Sequence, residues 1–598
     1  MTYSAPIRDM RFVMADVVGL DRIASLPGLD SAEGALVDQI LEEAGKLAGG
    51  VLAPINHSGD RQGVRLENGV VRTPDGFADA YAQFIEGGWN GAAFEEEYGG
   101  MGLPWLVATA LQEMWQGANM AFGLCPLLTQ AAIEALREVG TDAQKALYLP
   151  KLVSGEWTGT MNLTEPQAGT DLAAIRTRAE RAEDGSYRLF GQKIYITYGD
   201  HDWTENIVHL VLARSPDGIA GTKGLSLYLV PKFIPTADGK PGVRNDVKPL
   251  STEKKLGIHA SPTCVMAYGE DGGAVGWLVG GENRGIEHMF IMMNNARLAV
   301  GIQGLAIAER AYQQAVDYAR TRVQSRAITG STGAVTIIHH PDVRRMLLTM
   351  RAQIEAMRGL IYEVAAMTDT ANRHPDTDER TRAQTRVDLL IPVVKAWCTD
   401  ASVDICSTNV QIHGGMGFIE ETGAAQHYRD ARITPIYEGA NGIQALDLVG
   451  RKVARDGGTA MAAFLADVTT TLHDLAGVAD GAPALRAIHD RLSAAHGTLA
   501  KATDWMVATM PTDPAAGASP SALYLKLAGL VAGGWMMARS ALAAHRNKTG
   551  ANGDARFLET KLVTVHHYAD HLLSQAPGLI DAITAGGTTV MALDEDQF

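Results

Sequence analysis

The run ITPIYEGANGIQ (residues 433–444) holds one carboxylate, Glu438, between Tyr437 and Gly439. Two chemistries suit such a residue. A carboxylate kept partly dry has a raised pKa and works as a general base on a weakly acidic proton. A carboxylate ahead of a helix is instead held by the positive end of the helix dipole. Taken alone, the run leaves both open. His567 and His571, four residues apart with Asp570 between them, have a spacing that can hold zinc. No further ligand accompanies them, so no metal is expected and a solvated helix face is the better reading. His413, in QIHGG, suits a core, substrate-side or cofactor-side position. No GxSxG or Ser–His–Asp arrangement stands out.

The elements that must position these residues follow a simple order. Apolar residues at three- and four-residue intervals make residues 31–155 read as helices, broken by glycine and proline. From residue 157 the texture changes to short β-branched and aromatic runs separated by turn residues, such as YRLFGQKIYITYGD and GLSLYLVPKFIP. This predicts an all-β domain ending near residue 284. The helical period returns at 285, with one long helix after the β-domain and further helices over 341–372 and 380–413. Residues 459–598 read as an extra alanine-rich helical module. The expected segments are 1–35 (N-terminal extension), 36–156 (helical), 157–284 (β), 285–455 (helical, carrying Glu438) and 456–598 (C-terminal module). The fold class is mainly α with a central β-domain. Helices, then strands, then helices do not make a doubly wound sheet. The glycines of GGMGF and VGGENRG therefore fail the context test for a dinucleotide fingerprint.

Composition narrows the class. The chain has 598 residues, 46% of them hydrophobic and 20% charged, enough for a full core and too apolar for disorder. A net charge of −16 disfavours nucleic acid or an anionic membrane as partner. Cys125, Cys264, Cys398 and Cys406 form no CxxC pair, as expected of buried thiols in a reducing compartment. No run approaches the ~20 apolar residues of a membrane span, and a soluble cytoplasmic protein is expected.

Four ordered motifs at the joints of this α–β–α plan carry a family resemblance: MNLTEPQAGTDL (161–172), GQKIYITYGD (191–200), KLGIHASPT (255–263) and QIHGGMGFIEETGAAQHYRDARITPIYEGANGIQ (411–444). Together they resemble the acyl-CoA dehydrogenases over residues 40–450. The leader YSAPIRDMRFV and the extra C-terminal module resemble the longer subgroup, which includes 3-methylthiopropanoyl-CoA dehydrogenases and broad-range fatty-acyl-CoA dehydrogenases.

The resemblance implies FAD as cofactor, an acyl-CoA substrate, electron-transferring flavoprotein as electron acceptor, and a homo-oligomer whose flavin sites are shared between subunits. The family reaction removes the α-proton of an acyl-CoA with a base while hydride leaves the β-carbon for the flavin. Glu438 matches that base, and its backbone N–H matches a donor to the thioester oxygen. Tyr437 and Ile436 would exclude water, and Gly439 would let backbone approach the substrate. Some relatives place the base just before the arginine that aligns with Arg297. Here that position is Ala296, which favours Glu438, and Arg297 is left a supporting role in the substrate region. Leu163 and Thr164 match flavin-ring contacts, Gly169 and Thr170 the turn facing the pyrophosphate, Tyr195 the aromatic packing on the ring and Thr197 a contact near N5. Arg322, Gln411 and Gly415 match contacts reaching a neighbouring subunit's cofactor. The chain departs from the family at Ser325 and Arg326, where phenylalanine and glycine are usual. It departs again at Ala440 and Gly442, which replace threonine and glutamine on the adenine side.

Overall fold

The computed structural model describes residues 3–480, 482–550 and 554–598. The chain packs into two compact units. The first contains Glu43–Leu103 and Met114–Ala299, and the second contains Pro6–Glu42, Pro104–Glu113 and Val300–Phe598.

The first unit is built around eight strands: β1 (Trp157–Asn162), β2 (Arg178–Arg181), β3 (Tyr187–Thr197), β4 (Asn206–Arg214), β5 (Leu225–Pro231), β6 (Val247–Thr252), β7 (Thr263–Tyr268) and β8 (Ala274–Val279). Their order is β6-β7-β3-β8-β5-β4-β1, and β2 pairs with both β3 and β4. Strands β3, β8, β5, β4 and β2 therefore close a ring, which removes free edges from the middle of the sheet. Leu189, Ile196, Val211, Tyr228, Val230 and Met266 pack in one buried cluster. Helix α1 (Met120–Val139) lies against β1. Asn119 caps it by accepting from Phe122 N–H (3.1 Å), and Thr129 accepts from Gly159 N–H (3.1 Å). A Cβ on Gly159 would stand 2.6 Å from the Ala132 methyl, so the small residue sets how closely helix and strand approach.

One irregularity matters for the site. Opposite β7, the register of β3 jumps from Ile196↔Cys264 to Lys193↔Met266. Two residues of β3, Ile194 and Tyr195, thus face the single residue Val265, which is a β-bulge. The bulge turns Tyr195 outward: it has φ +60° and is 60% exposed, while Lys193 and Ile196 on either side are buried.

The second unit is helical. Its main helices are α2 (Gly285–Thr321, from Val300 onward), α3 (Pro341–Arg373), α4 (Thr377–His413), α5 (Pro483–Thr509), α6 (Ser521–Thr549) and α7 (Ala555–His571). Pro341 occupies the first turn of α3, and the Asp376 carboxylate accepts from Asp378 N–H (2.8 Å) to start α4. Gly414, in the left-handed region at φ +60°, ends it. Helix α3 packs along α4, and α6 packs against both. At the α4–α6 crossing the Trp397 indole lies over Gly529 and Gly533, where an added Cβ would fall 2.3 and 2.6 Å from the ring. Helix α6 is long and apolar enough to cross a membrane, against the sequence expectation, but 89% of its most apolar stretch is buried inside the fold. It is a core helix: its middle, residues 527–538, is buried on every side, and Lys526, Arg546 and Lys548 lie exposed toward its ends.

The N-terminal leader belongs to this unit. Asp9 of the leader accepts from Arg358 of α3 and Lys561 of α7. Arg358 also binds Glu113 (2.6 Å) and Glu309 (2.9 Å), and Lys561 binds Glu355 (3.2 Å). Asp16 accepts from Asn547 at the end of α6 (2.8 Å).

Candidate active site

In the second unit, residues 433–440 form a tight loop that leads into the short helix Asn441–Leu446. The chain turns back on itself through Tyr437 N–H to Ile433 C=O (3.2 Å) and Asn441 N–H to Pro435 C=O (3.0 Å). The turn places Glu438 at φ +54° and Gly439 at φ +85°, two consecutive left-handed residues. Glycine is at ease there. At Glu438 the same conformation costs about 1–2 kcal/mol. A Cβ on Gly439 would also meet the Gln444 amide nitrogen at 2.5 Å, so this position has two reasons to be glycine.

The short helix has Ala440 as its N-cap and no side chain capping it. Glu438 makes no N-cap hydrogen bond to this helix. Side chains flanking the carboxylate pin the loop instead. The Tyr437 hydroxyl donates to the Gln303 side-chain oxygen on α2, and Gln303 is fully buried. Burial, then the neighbouring Glu438 charge, keeps the Tyr437 hydroxyl protonated far above its ordinary range. The buried Gln444 amide donates to Gly439 C=O (3.2 Å). Ile436, expected to exclude water, is itself 52% exposed in the single chain.

In the first unit, the loop after β1 is fastened to β3. Ile194 N–H, freed from the ladder by the bulge, donates to Thr164 C=O (2.9 Å). The Lys193 ammonium donates to Leu163 C=O and to the Glu165 carboxylate, both at 2.9 Å. Glu165 also accepts from Arg176 N–H (2.7 Å) and Thr177 N–H (3.0 Å), and its own backbone pairs with that of Ala168. Burial alone would raise the Glu165 pKa. The Lys193 charge and these hydrogen bonds outweigh it and hold the carboxyl below its ordinary value. Leu163, Thr164, Tyr195 and Thr197 are thus gathered at one end of β3. Gly169 and Thr170 stand exposed at the loop tip, where a Cβ on Gly169 would meet nothing within 4 Å. An exposed aromatic face beside an open turn fits a flat, phosphate-bearing cofactor such as FAD.

The remaining positions fall elsewhere. Arg297 is buried, with its guanidinium 5.6 Å from the centre of the Phe290 ring. Ala296 is fully buried. In the second unit, the ends of α2 and α4 meet where Tyr318 stacks on His413 (4.2 Å between ring centres). Arg322 and Gln411 are exposed beside this stack, and Gly415 is open, with nothing within 4 Å of an added Cβ. His413 is buried and its Nδ1 pairs with Asn409 C=O (2.9 Å), so it belongs to the helix end. Ser325 takes φ +62° where the family pattern has phenylalanine. His567 and His571 stack at 4.0 Å, and His567 Nε2 pairs with the Thr349 hydroxyl (2.9 Å).

Sequence reasoning missed the residues that hold the two loops. Glu165 and Lys193 lie inside motifs already singled out, and an acid and a lysine within β-domain motifs were the available signal. Asn441 also lies inside a motif, but its partners on residues 395–400 are far away in sequence; Gln303 lies in none and carried no signal.

Comparison with known proteins matches this arrangement along nearly the whole chain. Residues 38–156, 160–269 and 283–453 match the models of the acyl-CoA dehydrogenase N-terminal, middle and C-terminal domains, and residues 461–594 match an acetyl-CoA dehydrogenase C-terminal-like domain. The chain is 48% identical to the 3-methylmercaptopropionyl-CoA dehydrogenase of Ruegeria pomeroyi over 99% of both chains. It is 34% identical to the broad-specificity linear acyl-CoA dehydrogenase FadE5 of Mycobacterium tuberculosis over the full length of both. Among solved structures, an acyl-CoA dehydrogenase from Bacillus anthracis, complexed with FAD, shares the fold at a TM-score of 0.73 and 20% identity, covering 98% of this chain and 92% of that one. The chain belongs to the acyl-CoA dehydrogenase family, as an FAD-dependent oxidoreductase acting on acyl-CoA thioesters.

Proposed function

We propose that the chain oxidises 3-methylmercaptopropionyl-CoA (3-methylthiopropanoyl-CoA) to its 2-enoyl-CoA, with Glu438 as the base that takes the α-proton. Bound FAD supplies the two-electron acceptor for the β-hydride. The observation that carries the base assignment is the pinned loop: Glu438 is held in a costly left-handed conformation by anchors on both sides. The 48% identity over 99% of the Ruegeria enzyme supports the substrate.

In this reading Leu163, Thr164, Tyr195 and Thr197 contact the flavin ring, and Gly169 and Thr170 face its pyrophosphate. Arg297, Tyr437 and Gly439 border the substrate. Arg322, Gln411 and Gly415 reach a neighbouring subunit's cofactor, so the working form is a homodimer or dimer of dimers. Exposed Met416, Phe418 (84%) and Ile419 favour coverage by a second copy. Electrons leave to electron-transferring flavoprotein. Four free, buried cysteines favour a cytoplasmic enzyme.

The test is anaerobic flavin bleaching across a panel of acyl-CoAs that includes the methylthio compound and linear chains. Fastest bleaching by 3-methylmercaptopropionyl-CoA is expected. Bleaching confined to long linear chains would overturn the substrate and leave the family assignment intact. Rapid reoxidation of the reduced enzyme by oxygen would overturn the flavoprotein acceptor.

A further inference from the structure

We propose that Asn441 is a positioning residue for Glu438, and that it ties the base loop to the stretch of α4 against which the C-terminal module packs. The inference rests on Glu438 being the base. Three residues beyond Glu438, the Asn441 side chain reaches one turn of α4. The buried Lys395 ammonium donates to its Oδ1 (2.8 Å). Its Nδ2 donates toward the Asp400 carboxylate (2.7 Å), the Thr399 hydroxyl (3.0 Å) and Ala396 C=O (3.1 Å). Its backbone N–H closes the loop on Pro435. One side chain thus occupies both its acceptor and its donors on residues 395–400.

The need for such an anchor follows from the backbone. Glu438 and Gly439 are both left-handed, and an unheld loop would relax toward conformations that suit a glutamate better. Relaxation would swing the carboxylate, and proton transfer from carbon demands reacting atoms placed within about an ångström. The anchor point is itself braced. Trp397 lies within the turn that holds Asn441, and its indole is pressed by Gly529 and Gly533 of α6. This gives the C-terminal module a task in catalysis that needs no contact to substrate: it fixes the turn that fixes Asn441, which fixes Glu438.

The test uses single-turnover flavin reduction in the FAD-loaded enzyme with 3-methylmercaptopropionyl-CoA. Asn441→Ala is expected to slow reduction on the order of 10²-fold with KM and flavin content little changed. In a Glu438→Gln background the same change is expected to cost nothing further, because a residue that acts through the base has no effect once the base is gone. Should Asn441→Ala fail to fold, Asn441→Asp carries the test. It keeps the acceptor for Lys395, sets a carboxylate against Asp400, and is expected to slow reduction by a smaller factor. A wild-type rate in either folded variant, or an equal loss in both backgrounds, overturns the positioning role. Wild-type reduction by Glu438→Gln would instead overturn the base assignment, so the two failures are distinguishable.

Discussion

Two loops in this molecule do comparable work and are held by opposite means. The loop after β1, which carries positions proposed to face the flavin, is fastened by a charge: Glu165 sits against Lys193 and two backbone N–H groups with almost no exposure. In the loop around Glu438 the fastening side chains are themselves neutral: Tyr437 on one side, Asn441 and Gln444 on the other, with Asn441 reaching the charged Lys395 and Asp400 of α4. The difference has a chemical logic. A cofactor loop has to stay in place and need not titrate, so a buried ion pair serves it. A loop that presents a working carboxylate is better held by groups whose own protonation does not change as the base takes up and releases its proton.

The contrast can be broken most severely at Lys193. Lys193→Met strands the buried Glu165 carboxylate, and losing one member of a buried pair costs about 3–5 kcal/mol. The expected outcome is a large fall in bound flavin and in the melting temperature of the first unit, read by absorbance and calorimetry. Near-normal flavin content would show that the charge does not hold this loop. A smaller effect is expected from Gln303→Leu, which leaves the buried Tyr437 hydroxyl without its acceptor at about 1–3 kcal/mol. Flavin should be retained while kcat falls on the order of tenfold, as a partly released base predicts.

The gentlest probe is pH. Glu165 has its folded pKa depressed below the ordinary 4.5, so its contribution is fully present above that value and is lost as pH falls through the lower folded pKa. Flavin fluorescence in wild type should rise only below about pH 4.5, as the loop lets go. Glu165→Gln should hold flavin more weakly at every pH and lose that acid step. An acid step that persists in the variant would assign it to another group.

Much of the fold was legible because it rests on periodicity. The apolar stripes of 341–372 and 380–413 became α3 and α4, and the β-rich texture from 157 became the eight-stranded sheet. The motif residues Leu163, Thr164, Tyr195 and Thr197 were found by resemblance, and the structure gathers them. What escaped was register and long-range pairing. The bulge that turns Tyr195 outward depends on how β3 meets β7, some seventy residues away, and no local signal marks it. Asn441 looks like any polar residue at a helix start until α4 comes alongside. The left-handed backbone of Glu438 is similarly hidden, because glutamate has little preference for it and only the adjoining Gly439 hints at a tight turn. Helix α6 shows the converse: composition alone suits a membrane, and only packing shows it to be core.

The claim on which the rest depends is that Glu438 takes the α-proton. The most direct measurement is stopped-flow flavin reduction of Glu438→Gln under anaerobic conditions with a saturating acyl-CoA, in protein shown to keep its flavin. Removal of a general base is worth about 10²–10⁴-fold, and the variant should reduce its flavin slower by at least that factor while still binding substrate. Reduction at the wild-type rate would contradict the assignment.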